Sequence, residues 1–109
     1  MVLIPSYLET FGLVAVEAML HGVPIVASAC MGLRERLEDG VTARLVPAGD
    51  VDGFVQSITE LLDDELQARR LGQAAAATIR DGGLWKQVGP GWMGAYRDMI
   101  AQPSVITRG

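Results

Sequence analysis

The tetrapeptide His21-Gly22-Val23-Pro24 constrains this chain most, because it separates two apolar segments that cannot share one element. Proline bars a helix from running through it, and glycine suits the left-handed turn that ends one. Before it, Phe11 to Leu20 is apolar at almost every position, with Glu17 as its one charge. That pattern predicts a buried helix rather than one with a wet face. After it, Ile25, Val26 and Ala27 read as a buried strand. Upstream, Val2, Leu3 and Ile4 form another short apolar run, closed by Pro5 and Ser6, and read as an earlier buried strand. The unit is strand, loop, helix, strand. A crossover of this length between doubly buried strands favours a right-handed βαβ unit in a parallel sheet.

In such sheets ligands bind beyond the carboxyl ends of the strands. Glu9, Thr10, Phe11 and Gly12 therefore form the mouth of the expected site. Gly12 allows close approach of the backbone to a ligand, and the first helical amides, unpaired at the positive end, suit a phosphate. Glu17 has two readings. A carboxylate on an apolar helix is costly to bury unless it meets donors, and vicinal sugar hydroxyls are such donors, contributing roughly 1.5–3 kcal/mol each. The other reading is a solvated glutamate on a helix surface. The shared local arrangement of Glu9, Gly12 and Glu17 favours the sugar.

At these residues the pattern PSxxExFGLVxxEAMxxGxPIVAS resembles the glycosyltransferases of GT-B fold, in particular glycosyltransferase family 4 (group 1). That family carries two glutamates separated by seven residues in its carboxy-terminal, nucleotide-sugar-binding domain, and Glu9 and Glu17 have that separation. The resemblance implies that Glu9 binds hydroxyls of the donor sugar and is the catalytic candidate. It implies that the segment Thr10, Phe11, Gly12, Leu13 and Val14 meets the sugar and diphosphate, and that Glu17 holds the ribose. The likeness continues through GLxExxxDGxxxxLVPxGD, with two departures: Met31 and Ala43 stand where glycine is usual, which puts close backbone approach at both loops in question. Glu35 matches the family position and reads as loop structure.

Further along, Gly32 marks a loop, Arg34 to Glu38 a charged helical turn, and Asp39-Gly40 a turn before a very short strand at Leu45 and Val46. Arg34 and Arg36 are in reach of a phosphate, although a charged surface turn is the commoner explanation. Asp50 is the expected N-cap of a helix whose apolar stripe is Val51, Phe54, Val55, Ile58, Leu61 and Leu62. A second helix spans about Asp64 to Ile79, with Leu66, Leu71, Ala75 and Ile79 inward and Arg69 and Arg70 outward. Trp85, Val88, Trp92, Tyr96 and Ile100 continue at roughly helical spacing, interrupted by Gly89-Pro90-Gly91. The two tryptophans read as core rather than as a sugar platform. His21 reads as a capping or surface residue and Cys30 as a small buried one.

A net charge of −4 argues against a nucleic-acid surface, and no apolar stretch is long enough to span a bilayer. The single cysteine permits a reducing compartment, and a cytoplasmic location is expected. No constellation of His, Cys or carboxylates is spaced to hold a metal, and no cofactor is expected.

The expected fold class is α/β, a partial doubly wound, Rossmann-like parallel sheet of about three strands with flanking helices. Residues 1–100 are expected to form part of a carboxy-terminal nucleotide-sugar-binding domain of GT-B type, with 101–109 a tail. The resemblance implies a retaining glycosyltransferase segment that takes a UDP- or GDP-linked hexose, without the acceptor domain and basic diphosphate-binding residues. The alternative is a non-catalytic nucleotide-sugar-binding or assembly module. A dinucleotide-binding oxidoreductase is a weaker option, since no G-x-G-x-x-G follows a strand. The edge of the strand Val2 to Ile4 is expected to be covered by the missing half of the fold or by self-association.

Overall fold

The computed structural model describes residues 1–81 together with Gly91, Gly94 and Asp98. Their order is β1 (Val2–Ile4), α1 (Leu13–Leu20), β2 (Ile25–Ser28), α2 (Met31–Arg34), β3 (Arg44–Val46), α3 (Val51–Asp63) and α4 (Glu65–Arg80). The strands form one parallel sheet in the order β1-β2-β3. Val2 lies opposite Ile25 and Ile4 opposite Ala27; Val26 lies opposite Arg44 and Ser28 opposite Val46. This is the α/β class that the strand-helix-strand pattern predicts.

All four residues of β2 are buried. Alternation along the strand sends Ile25 and Ala27 into one cluster with Val16 and Met19 of α1 and Ala75 and Ile79 of α4. Val26 enters the opposite cluster, with Val46 of β3 and Leu61 of α3. Helices thus cover both faces of the sheet. Helix α4 reaches both clusters, through Ala75 and Ile79 on one side and Ala68 and Leu71 on the other. It crosses the end of α1 without a spacer: a Cβ on Gly72 would overlap the Gly22 carbonyl oxygen and sit 2.9 Å from its carbon. Gly22 itself has a φ of 65°, the left-handed turn expected where α1 stops.

Asp50 caps α3 as expected, its carboxylate accepting from the Gly53 amide at 3.0 Å, and Asp64 caps α4 by accepting from Gln67 at the same distance. Arg44 and Glu60 join β3 to α3 at 2.8 Å, a partly exposed pair that contributes no more than about 1 kcal/mol.

Four expectations are corrected. First, α1 begins at Leu13, not Phe11, because Gly12 adopts a left-handed conformation that a right-handed helix cannot contain. Second, α1 is not buried all round. Ala15, Val16, Ala18 and Met19 face the core, whereas Leu13, Val14, Glu17 and Leu20 are exposed, because sheet and α4 cover only part of its circumference. β1 is likewise only partly buried: Leu3 is 48% exposed.

Third, the charged turn starts earlier than Arg34. The α2 helix is Met31–Arg34, with Gly32 inside it, and hydrogen bonds from Arg36 and Leu37 to the Leu33 carbonyl carry the turn onward. Burial of Leu33 and Leu37, four residues apart, sets this phase rather than the charges between them. Fourth, the helical stripes are narrower than predicted. In α3 Leu61 is buried and Phe54 and Ile58 pack on the core, but Val51, Val55 and Leu62 are exposed, as is Leu66 in α4. Among the described residues the sheet has three short strands, and α1 and α3 each pack on it with part of their circumference. Trp85, Val88, Trp92, Tyr96, Ile100 and the tail lie outside the described residues.

The close approach of Gly72 to Gly22 generates a stability prediction. Gly72→Ala is expected to cost about 1–3 kcal/mol by forcing α4 away from the end of α1, although alanine favours a helix. Urea denaturation checks this, with the exposed neighbour Gln73→Ala expected within about 0.5 kcal/mol of the parent.

Candidate functional site

The loop between β1 and α1 leaves the sheet at the carboxyl end of β1, where Glu9, Thr10, Phe11 and Gly12 were expected. Glu9 is half-buried, and its Oε2 accepts from the Ser6 hydroxyl at a long 3.4 Å. Thr10 and Phe11 are exposed. Gly12 is buried, with φ 63° and ψ 42°, and starts α1 with no side-chain cap. The first intrahelical bond runs from the Val16 amide to the Gly12 carbonyl at 3.0 Å, so the amides of Leu13, Val14 and Ala15 precede the helical ladder. Their direction and the helix dipole make this end attractive to an anion.

The glycine at position 12 serves the backbone turn. A Cβ there would point into the protein, 3.3 Å from Leu33 Cδ2 and 3.4 Å from Arg36 Cδ. Arg36 thus stands against the start of α1. Among the described residues its Nε and Nη1 are closed to solvent and have no hydrogen-bond partner, so no ligand reaches those two atoms in this conformation. Arg34 is exposed.

Glu17 lies one turn into α1 and is exposed, so its carboxylate is solvated and needs no ligand donors to offset burial. Its position is what remains informative. With Val2, Val14, Ala18, His21 and Val23 it lines an open hollow of about 220 Å³ between α1 and the amino end of β1. Val14 and Glu17 therefore share a hollow, and Glu9 is not among the residues that line it. Glu9 is instead held near Gly32 of α2. A Cβ on Gly32 would overlap the Glu9 carbonyl oxygen and lie 2.6 Å from its carbon. Despite Met31, close backbone approach is kept at this loop, and Ala43 is accommodated with no exposure, its carbonyl accepting from Gly40 at 2.8 Å. The contact between residues 9 and 32 was missed by sequence reasoning; the only signal was a glycine retained where its neighbour had changed.

Among the described residues no three His, Cys, Asp or Glu side chains are grouped to hold a metal, and no helix is long and apolar enough to cross a membrane.

A family profile described as "Glycosyl transferases group 1" matches residues 1–78. The chain belongs to this family. Relatives of this group 1 glycosyl transferase chain include a D-inositol 3-phosphate glycosyltransferase of Kribbella flavida, 40% identical over 96 residues, covering 88% of this chain and 22% of the relative. Another of the same name, from Mycobacterium avium, is 36% identical over 109 residues, covering 100% and 26%. Among solved structures, sucrose-phosphate synthase from Thermosynechococcus elongatus superposes with a TM-score of 0.74 at 35% identity, over 91% of this chain and 25% of that one. Anabaena HepE in complex with UDP-glucose gives 0.61 at 35% identity, over 63% and 19%. These support the GT-B assignment. The chain spans about a quarter of the length of the curated relatives it matches.

The left-handed start of α1 in this group 1 chain generates a second prediction. Gly12→Ala is expected to destabilise the protein by about 1–2 kcal/mol, from the cost of that conformation to an L side chain, and Gly12→Asn by less. Chemical denaturation of the three proteins checks the order.

Proposed function

We propose that the protein to which this chain belongs transfers a hexosyl group from a nucleoside diphosphate sugar, with retention at the anomeric carbon. Family membership supports glycosyl transfer. HepE, solved with UDP and with UDP-glucose, supports a UDP-linked donor over a GDP-linked one. The observation that carries the reading is the uncapped start of α1 at the carboxyl end of β1, with Glu9 in the loop before it and Glu17 one turn beyond.

In this reading the amides at the start of α1, from Leu13 and Val14, donate to diphosphate oxygens. They stabilise the negative charge that grows there as the bond to the sugar breaks. Thr10 and Phe11 flank the sugar. The Glu9 carboxylate accepts from hydroxyls of the donor sugar, and Glu17 accepts from the ribose. No cofactor takes part. A second reading has the segment bind nucleotide sugar or serve assembly without turnover; the closed Nε and Nη1 of Arg36 favour it, since two of that guanidinium's three nitrogens are withheld from a diphosphate.

We also propose that the outer edge of β1 is covered in the working protein, by another part of the same domain or by a second copy. Among the described residues β1 pairs only with β2. Leu3 and Phe54 line an apolar groove of about 260 Å³ beside that edge.

Calorimetry on the full-length protein tests the donor reading. Glu17→Gln is expected to weaken UDP binding about 10–100-fold, the loss of hydrogen bonds to a charged acceptor. Unchanged affinity rejects the ribose assignment, and full turnover by the 109-residue chain alone rejects the non-catalytic reading. For the edge, light scattering of the isolated chain is expected to show concentration-dependent association. A stable monomer with β1 amides protected from hydrogen exchange would count against it.

A further inference from the structure

Gly32 holds the Glu9 carbonyl in a seat that no other residue leaves open. It lies in α2, is buried, and is not one of the glycines with a positive φ, so its backbone suits any residue. Conformation does not explain the glycine. Space does: a Cβ at this position would overlap the Glu9 carbonyl oxygen, approach its carbon to 2.6 Å and reach the Glu9 Cβ at 3.4 Å. The obstacle is backbone, which cannot swing aside as the end of a flexible side chain does. The segments after two neighbouring parallel strands, β1 and β2, are therefore stacked backbone against backbone at this point.

On the other side, among the described residues, Glu9 has only a long hydrogen bond, 3.4 Å from the Ser6 hydroxyl to Oε2. Its carboxylate is held weakly by side chains, and its backbone is located by Gly32. We infer that Gly32 is a positioning residue for Glu9: it sets the height of the Glu9 peptide above α2, and through it the place where the carboxylate meets the donor sugar. This rests on the donor reading of Glu9 given above. A side chain at position 32 lifts the Glu9 loop and pulls the carboxylate off the sugar hydroxyls, and losing a hydrogen bond to a charged acceptor costs about 10–100-fold in affinity. Alanine also favours a helix over glycine, so weakening of α2 itself is not the source of any loss.

The test compares UDP-glucose with UDP on the full-length protein, since only the former carries the sugar that Glu9 meets. Gly32→Ala is expected to weaken UDP-glucose binding about 10–100-fold and to leave UDP binding within about twofold. In a Glu9→Gln background Gly32→Ala is expected to add less than about twofold, because the two changes act on one contact. Equal losses for UDP and UDP-glucose, or a full additional loss in the Glu9→Gln background, overturn the inference. If Glu9→Gln alone leaves UDP-glucose binding unchanged, the donor reading fails. If Glu9→Gln weakens binding and Gly32→Ala does not, only the positioning role fails. A measurement on the unaltered protein stands even where the variant does not fold: the Gly32 amide resonance is expected to move with UDP-glucose and not with UDP. A Gly32 amide indifferent to the sugar overturns the coupling.

Discussion

The whole arrangement depends on burying β2 from both sides. Its four residues have no solvent face, and side chains of the size of Ile25 and Val26 contribute about 1.5–3 kcal/mol each when fully removed from water. To gain that, the chain must bring apolar cover to two opposite faces of a strand only four residues long. Helix α1, joined to β2 by a tight turn, covers Ile25 and Ala27, and α3 covers Val26. Helix α4 then closes against both, which requires glycine at its crossing with the end of α1.

The site is a by-product of that burial. Parallel strands deliver their following loops to the same end of the sheet, so the loop after β1 and the turn after β2 must share the space above the carboxyl edge. Gly12 turns the first loop into α1 with its amides outward, while Gly32 lets the second pass directly beneath Glu9. The two glycines solve different problems. One accepts a backbone angle that side chains resist; the other vacates the volume that a neighbouring peptide occupies.

Burial also explains where ridges of apolar residues end in water. Leu13, Val14 and Leu20 on α1, Leu3 on β1, and Val51 and Val55 on α3 are apolar and exposed; Val14 shares a hollow with Val2, and Leu3 shares another with Val51 and Val55. A three-stranded sheet is too narrow to cover the full apolar width of the helices that pack on it. Their composition suits a broader sheet, in keeping with relatives about four times the length of this chain.

The three strands, the turn at Gly22 and Pro24, the cap at Asp50 and the two long helices were legible because each is set by local chemistry: a period, a breaker, a side chain that reaches an amide three residues on. The pairing of Glu9 and Glu17 was legible as a spacing, and with it the family. Three features were not. Glu17 is solvated rather than buried, since the orientation of α1 depends on how far β1 and α4 reach around it. Helix α2 starts at Met31 because Leu33 and Leu37 find a core that their immediate neighbours do not announce. The seat of Glu9 on Gly32 joins residues 23 positions apart through backbone atoms alone, whose positions no side-chain pattern records. Local sequence therefore determined which elements form and where they stop, while tertiary packing decided which faces stay wet and which two loops touch, because those depend on the space left after the sheet is covered.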